Sequence, residues 1–469
     1  MQKAEGKTFL GLDSSTQSLK AMVVDQDLRV VYENSVNFDS ELPAFKTKGG
    51  AHQHPDGVTV TSPPLMWVGA LDLLLEKMSR DNFAFGQVAA IGGSGQQHGS
   101  VWLKHGALEV LRSLDSRRSL REQMEGVFSV DASPIWMDSS TGRQCSELEK
   151  ALGGAQAVAD LTGSRAYERF TGNQIARIWG ERRKAYEATE RIALVSSFVA
   201  SLLTGDYAPI DFSDGSGMNL LDIRSRKWSP PALKHTAPGL EERLGEPVPS
   251  HTVAGKVHAY FVRKYGFRSE CRVVTFSGDN PNSLAGLRLQ LPGNVAISLG
   301  TSDTMFGSSS DPVPSGKEGH VFISPIDPEA FMVMMVRKNG SLTREKVRDA
   351  CAGGGWDRFN KILAQSAPGN DGNLSLHVDQ PEITPPLVKT GVYRRDKNGR
   401  MVASFPEAVE VRAVVEGTFL SMRIHGARIG LRPTSILATG GASTNQELVR
   451  IVSNVFGVPV FVGDQANSA

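Results

Sequence analysis

Two aspartates stand where apolar strands run out into glycine. Asp13 follows Leu10-Gly11-Leu12 and leads into Ser14-Ser15-Thr16, and Asp279 follows the run Arg272–Phe276 in Ser277-Gly278-Asp279-Asn280-Pro281. A carboxylate at the end of a buried strand, beside a glycine that lets substrate approach, is placed to act as a general base. Aspartate and asparagine also cap helices and close Asx-turns, so the residues alone leave both readings of Asp279 open. Asp13 has the same two readings, with metal or phosphate chemistry as the functional one. His98 lies in Gln96-Gln97-His98-Gly99. Amides beside an imidazole offer the donors and acceptors that a polyol needs, although a lone histidine serves equally as a satisfied core residue. Gly440-Gly441-Ala442-Ser443 permits close approach of backbone to a ligand, and Trp356, after Gly353-Gly354-Gly355, offers a ring to stack on a base or to bury. GxGxxG and GxxxxGK[ST] do not occur, nor do HExxH, CxxC or an EF-hand loop. The dinucleotide, P-loop and common metal fingerprints are therefore excluded.

Short apolar runs alternating with helical spacing must position these residues, which is the pattern of an α/β protein. Phe9–Asp13, Leu19–Asp25 and Arg29–Val36 read as three strands joined by tight turns. Ser62-Pro63-Pro64 opens a helix whose apolar face is Trp67, Leu71, Leu74 and Met78. Val88–Ile91 is a strand running into the glycine-rich turn Gly92-Gly93-Ser94-Gly95. The second half repeats the grammar. Arg272–Phe276, Val295–Leu299, Phe331–Val336, Ser435–Ala438 and Val458–Val462 are strand-like, and Val411, Val415, Phe419 and Met422 mark a helix. Ala367–Arg400 reads as surface loops and Ile192–Leu203 as a buried helix, short of the roughly 18–20 residues that span a bilayer. Leu10–Thr16 is echoed by Ser298–Thr304: an apolar strand, a turn of Gly, Asp, Ser and Thr, then another apolar strand. Such turns can form a nest for phosphate oxygens, and two of them suggest duplicated domains around one nucleotide.

The 469 residues suffice for two or three domains at about 150 residues each. With 51 basic and 50 acidic side chains the net charge is +1, which argues against a nucleic-acid protein. Cys145, Cys271 and Cys351 are odd in number and widely spaced, excluding a disulfide scaffold and suiting a reducing compartment. Met1–Thr8 has neither an apolar export region nor an amphipathic presequence, so a cytoplasmic location is expected.

Six stretches occur in order: Gly95–Ser100, Trp136-Met137-Asp138-Ser139-Ser140-Thr141, Gly163–Gly172, Asp211-Phe212-Ser213-Asp214-Gly215-Ser216-Gly217-Met218-Asn219, Ser277–Asn280 and Ala438–Ser443. On these the chain, from Phe9 onward, resembles the FGGY carbohydrate kinases, most closely the branch of plants and animals that acts on D-xylulose. The resemblance implies two ribonuclease-H-like domains of the actin, Hsp70 and hexokinase type, over residues 8–264 and 265–469, with the active site in the cleft between them. It implies that Asp13, Ser15 and Thr16 form a first phosphate loop, with Asp13 placing Mg²⁺. Gly300, Thr301 and Ser302 would form the second, Gly440, Gly441 and Asn445 would hold the adenosine, and Trp356 would contact the nucleotide. His98, Arg169, Asp279 and Asn280 match sugar-binding positions, with Asp279 as catalytic base. The implied activity is ATP-dependent phosphorylation of D-xylulose, with D-ribulose, glycerol or 1-deoxy-D-xylulose as alternative substrates. A non-catalytic ATP-binding module and an inactive sugar-binding form are the alternatives outside that activity. The expected partners are a sugar and ATP, without nucleic acid or membrane, on a monomer or homodimer. Two features depart from the family: Ser15-Thr16 with Lys20 replace the usual Gly-Thr and arginine, and further C-terminal structure is expected beyond Asn467-Ser468-Ala469. Without it, apolar surface would be uncovered and ATP binding weakened.

Overall fold

Residues 6–463 are described by the computed structural model; the reading of the chain end, and most of that made on Met1–Thr8, fall outside them. Two units divide the chain, one running to Ser283 with Phe322–Pro328 added, the other comprising Leu284–Val321 and the residues from Glu329 onward.

The first unit is built on a seven-stranded sheet. Its strands are β1 (Thr8–Ser14), β2 (Ser18–Val24), β3 (Val30–Asn37), β4 (Val88–Gly95), β5 (Val253–Lys256), β6 (Arg272–Val274) and β7 (Ser277–Gly278). Their spatial order is β5-β6-β4-β1-β2-β3, with β7 also paired to β4. β1 is antiparallel to β2 and parallel to β4, which runs parallel to β6. In β1, Leu10 and Leu12 point into the core while Phe9 and Gly11 face out, the period-2 burial of a strand covered on one face. Helix α1 (Pro64–Arg80) starts at a proline, where a missing N–H costs nothing, and buries the predicted Trp67, Leu71, Leu74 and Met78. Helices α2 (Thr171–Glu181), α3 (Val195–Thr204) and α4 (Asp279–Gly286) follow.

Three local expectations change here. Gly92-Gly93-Ser94-Gly95 is not a turn but the continuation of β4, paired to Gly11 through Ser14 of β1. The expected single strand 272–276 is interrupted. Arg272 and Val273 pair with Ala90 and Ile91, whereas Ser277 and Gly278 pair with Ser94 and Gly95. Four steps from Val273 to Ser277 thus match three from Ile91 to Ser94, an extra residue in the manner of a bulge. Thr275 is drawn aside, its N–H and hydroxyl both donating to the Thr252 carbonyl at 2.8 and 3.0 Å. Ile192–Leu203 is not one helix: Thr189–Leu194 is a strand laddered to Ser100–Lys104, and α3 begins at Val195. A ladder partner ninety residues away cannot be read from local apolar spacing.

The second unit repeats the plan. Its sheet includes β8 (Asn294–Leu299), β9 (Asp303–Ser309), β10 (Phe331–Arg337), β11 (Ser435–Thr439) and β12 (Val460–Val462), in spatial order β10-β9-β8-β11-β12. β8 is antiparallel to β9 and parallel to β11, matching the relation of β1 to β2 and β4. Around it lie α5 (Ser341–Cys351), α6 (Trp356–Gln365), α7 (Glu407–Arg428) and α8 (Gln446–Phe456). Val411, Val415, Phe419 and Met422 of α7 are buried as their spacing predicts. Ala367–Arg400 is more ordered than loops, because Leu374–Val378 pairs antiparallel with Gly391–Arg395. Glu382, buried in this segment, accepts from the backbone N–H of Lys338 and from Asn339 Nδ2 at 2.6 and 2.7 Å, which satisfies the chain leaving β10. Among the described residues, no helix is long and apolar enough to cross a membrane.

Candidate active site

Parallel pairing of β1 with β4 sets Asp13 opposite Ser94, and the serine hydroxyl donates to Asp13 Oδ1 at 2.7 Å. The bulge before β7 brings Asp279, the first residue of α4, into the same neighbourhood. Burial, then the negative charge of Asp13, raises the Asp279 carboxyl to about 6. The N–H groups of Asn280 and Gln97 hold it from rising further, the Asn280 N–H lying 2.8 Å from Oδ1. Asn280 Nδ2 reaches both Asp279 Oδ1 and Gln97 Oε1 at 3.0 Å. Asp279 thus starts a helix and carries a carboxyl raised to about 6. Gly278 is required by packing, since a Cβ there would stand 2.4 Å from Gln97 Cγ and 2.9 Å from Asp214 Oδ1.

His98 is buried, with its ring 4.5 Å from that of Phe170 and stacked on it. Its Nδ1 lies 2.9 Å from the Gly217 carbonyl, which requires an N–H on Nδ1. Burial and the neighbouring Arg169 lower the imidazole to about 3, so the ring is neutral at physiological pH and Nε2 carries the lone pair. That nitrogen can accept a hydrogen bond from a hydroxyl. Arg169 spreads its guanidinium over the Tyr167 ring at 5.3 Å, and α2 begins two residues later, tying Thr171 Oγ1 to the His98 carbonyl at 3.0 Å. The unit thus gathers an imidazole acceptor, a guanidinium, an amide and a carboxyl, a mixture of donors and acceptors able to recognise vicinal hydroxyls. Ser15 and Thr16 follow Asp13 in the β1–β2 turn, where the Trp136 indole N–H donates to Thr16 Oγ1 at 2.8 Å.

In the second unit the turn between β8 and β9 is Gly300-Thr301-Ser302, three residues between the paired Leu299 and Asp303. The corresponding β1–β2 turn has four, Ser15 to Ser18, between Ser14 and Leu19. The buried Asp303 holds the loop in place through a two-pronged pair with Arg344 of α5, at 2.6 and 2.9 Å. Gly440 has φ +81°, and a Cβ there would meet the Leu299 carbonyl at 2.7 Å. This close approach sets the Gly440-Gly441 turn beside Gly300, while Gly441 faces open space. Trp356 is 37% exposed at the start of α6, with the Arg348 guanidinium 4.6 Å from its ring. Asn360, one turn on, accepts from Asn445 Nδ2 at 2.8 Å, so Trp356 and Asn445 share one end of this unit. Asn445 also caps α8, accepting from the N–H groups of Glu447 and Leu448.

The expected residues therefore form two groups. Asp13, Ser15, Thr16, His98, Arg169, Asp279 and Asn280 belong to the first unit, and Gly300–Ser302, Trp356, Gly440, Gly441 and Asn445 to the second. Of the residues that hold these, Ser94, Gln97 and Asp303 fall within motif stretches, whereas Arg344 and Asn360 carry no sequence signal. Among the described residues, no group of three or more His, Cys, Asp or Glu is placed to hold a metal ion. Mg²⁺ bound to a nucleotide needs only one or two carboxylates, because phosphate oxygens and waters fill its octahedron. Asp13, with one oxygen engaged by Ser94, fits that demand.

Comparison with known proteins follows the same division. Residues 8–286 match the N-terminal domain, and residues 295–469 the C-terminal domain, of the FGGY family of carbohydrate kinases. The chain is 52% identical over 471 residues to the xylulose kinase of Mus musculus, covering 100% of this chain and 85% of that protein. It is likewise 52% identical over 475 residues to xylulose kinase 2 of Arabidopsis thaliana, covering 98% and 85%. Among solved structures, a xylulose kinase from Rhodospirillum rubrum shares the fold with a TM-score of 0.80 at 17% identity, over 97% of this chain and 86% of that one.

Proposed function

Because the chain belongs to the FGGY family of carbohydrate kinases, we propose that it transfers the γ-phosphoryl group of ATP to the 5-hydroxyl of D-xylulose. The substrate reading is supported by whole-chain identity of 52% to xylulose kinases from an animal and a plant. The chemical reading is supported chiefly by the placement of Asp279 at the head of α4, with Oδ1 held by the N–H and Nδ2 of Asn280 and the carboxyl raised by burial and by Asp13.

Phosphoryl transfer asks the protein for position and charge more than for covalent chemistry. His98 Nε2 and the Arg169 guanidinium hold sugar hydroxyls from opposite polarities, one accepting and one donating. Asn280 fixes Asp279 Oδ1, which leaves Oδ2 to accept the proton of the attacking hydroxyl. A base near 6 is sufficient, because the hydroxyl becomes strongly acidic only as its oxygen bonds to phosphorus. In the first unit the Ser15-Thr16 turn would offer N–H groups to phosphate oxygens; in the second the Gly300–Ser302 turn would do the same, and Gly441, with open space before it, would leave room for an adenosine near Trp356 and Asn445. Asp13 would hold Mg²⁺, which when bound neutralises charge on the nucleotide phosphates.

The position of the transferred group tests the proposal. Proton–phosphorus correlation of the product formed from D-xylulose should link phosphorus to the C5 methylene protons. A phosphorus coupled to the C1 protons, or inorganic phosphate alone, would contradict it.

A further inference from the structure

Asp214 is a fully buried carboxyl that the reaction as described above does not use. It follows Asp211, whose oxygens accept from the N–H groups of Ser213 and Asp214 at the start of a four-residue helix. Asp214 Oδ2 accepts from Ser196 Oγ at 2.6 Å, at the head of α3. The Gln97 side chain acts on this carboxyl as a hydrogen-bond donor, while Asp214 Oδ1 and the buried Gln97 Nε2 have no other partner. These two atoms belong to groups that converge on one point, since a Cβ on Gly278 would touch Gln97 Cγ and Asp214 Oδ1 together. One is a donor and the other an acceptor.

We propose that Asp214 is a positioning residue for the catalytic base, acting through the Gln97 amide on Asn280 and so on Asp279. The inference rests on the assignment of Asp279 as base. Primary amides are nearly symmetric in shape, so only their partners decide which end is oxygen. Asp214 Oδ1 takes the NH₂ end of Gln97. The opposite end is then Oε1, which accepts from Asn280 Nδ2 at 3.0 Å, and that same Nδ2 reaches Asp279 Oδ1 at 3.0 Å. Reversing the amide would set two NH₂ groups against each other and release Asn280 from its place. Burial and the adjoining Asp211 push Asp214 well above the usual carboxylate range.

The test compares kcat with sugar affinity in the full chain. Asp214→Ala should lower kcat by about 30–100-fold, the scale of a misplaced catalytic group, with the xylulose Kd changed less than about twofold by calorimetry. Asp214→Asn presents the same acceptor to Gln97 and an NH₂ to Ser196, and should restore kcat to within about threefold of the parent. Gln97→Met should match the loss in Asp214→Ala, and the double variant should be no slower than the slower single one. An Asp214→Asn chain as slow as Asp214→Ala, multiplicative losses in the double variant, or a loss confined to sugar affinity would overturn the proposal. If Asp214→Ala does not fold, Asp214→Asn and Gln97→Met still decide it: retained kcat in Gln97→Met is incompatible with the relay. Near-parental kcat in Asp279→Asn would instead remove the base assignment itself.

Discussion

Asp279 ties the chemistry to one atom pair, and its environment makes two commitments. Replacing it with asparagine keeps the shape and most hydrogen bonds yet removes the proton acceptor. Asp279→Asn should bind D-xylulose with near-parental affinity and lose kcat by at least about a thousandfold, read by calorimetry and by coupled ADP release. The second commitment concerns pH. With a carboxyl at about 6, kcat/KM should fall about tenfold per pH unit below that value. The sign for stability is opposite. A carboxyl raised by burial favours its protonated form in the fold, so the contribution is complete below the ordinary carboxylate range and is lost as pH rises to about 6. Asp279→Asn should therefore melt no lower than the parent at pH 7.5, and a clear drop in Tm would show that the ionised carboxylate is instead a stabilising group. The residues read one by one leave Asp279 between base and cap, and His98 between ligand and core, because both fates use the same residue types. The contacts that bear on the choice are through-space: Asp13 from another strand for Asp279, Arg169 and Gly217 from distant loops for His98.

Elements decide how tightly these residues are held. Gly278 lies in the two-residue strand β7, where a methyl group would press on Gln97 and Asp214. Gly278→Ala should lower Tm and reduce kcat more than Gly180→Ala on the surface of α2, where a Cβ would meet nothing within 4 Å. Equal effects in the two variants would deny Gly278 its packing role. Arg344→Leu leaves Asp303 buried and unpaired under the Gly300–Ser302 turn, which costs about 3–5 kcal/mol by denaturant unfolding. If the loss stays local, ATP affinity should fall while xylulose affinity is kept. Apolar spacing revealed α1 and α7 and most strands of both sheets, because their burial is periodic. It missed the bulge at Thr275 and the split at Leu194, which depend on ladder partners far along the chain. It also missed the ribbon Leu374–Val378 with Gly391–Arg395, whose polar sequence conceals buried Glu382 and Thr384.

At the scale of the whole molecule, the echo between Leu10–Thr16 and Ser298–Thr304 corresponds to two sheets of one plan, each with three antiparallel strands followed by two parallel ones. Letter for letter the echo is out of step, since the first turn holds one residue more than the second. Duplication of topology survives such drift because strand pairing, not identity of residues, is what the sheets conserve physically. Asp13, His98, Arg169, Asp279 and Asn280 lie in one unit and Gly300–Ser302, Trp356, Gly440, Gly441 and Asn445 in the other. The central claim is a sugar kinase selective for D-xylulose, and ADP release by this chain with Mg²⁺-ATP tests it most directly. With D-xylulose as acceptor, turnover should exceed that with D-ribulose, glycerol or 1-deoxy-D-xylulose by at least about tenfold in kcat/KM, the discrimination that a well-placed hydroxyl contact supports. Equal or greater turnover of another acceptor, or none with D-xylulose in a folded chain that binds both substrates, would contradict it.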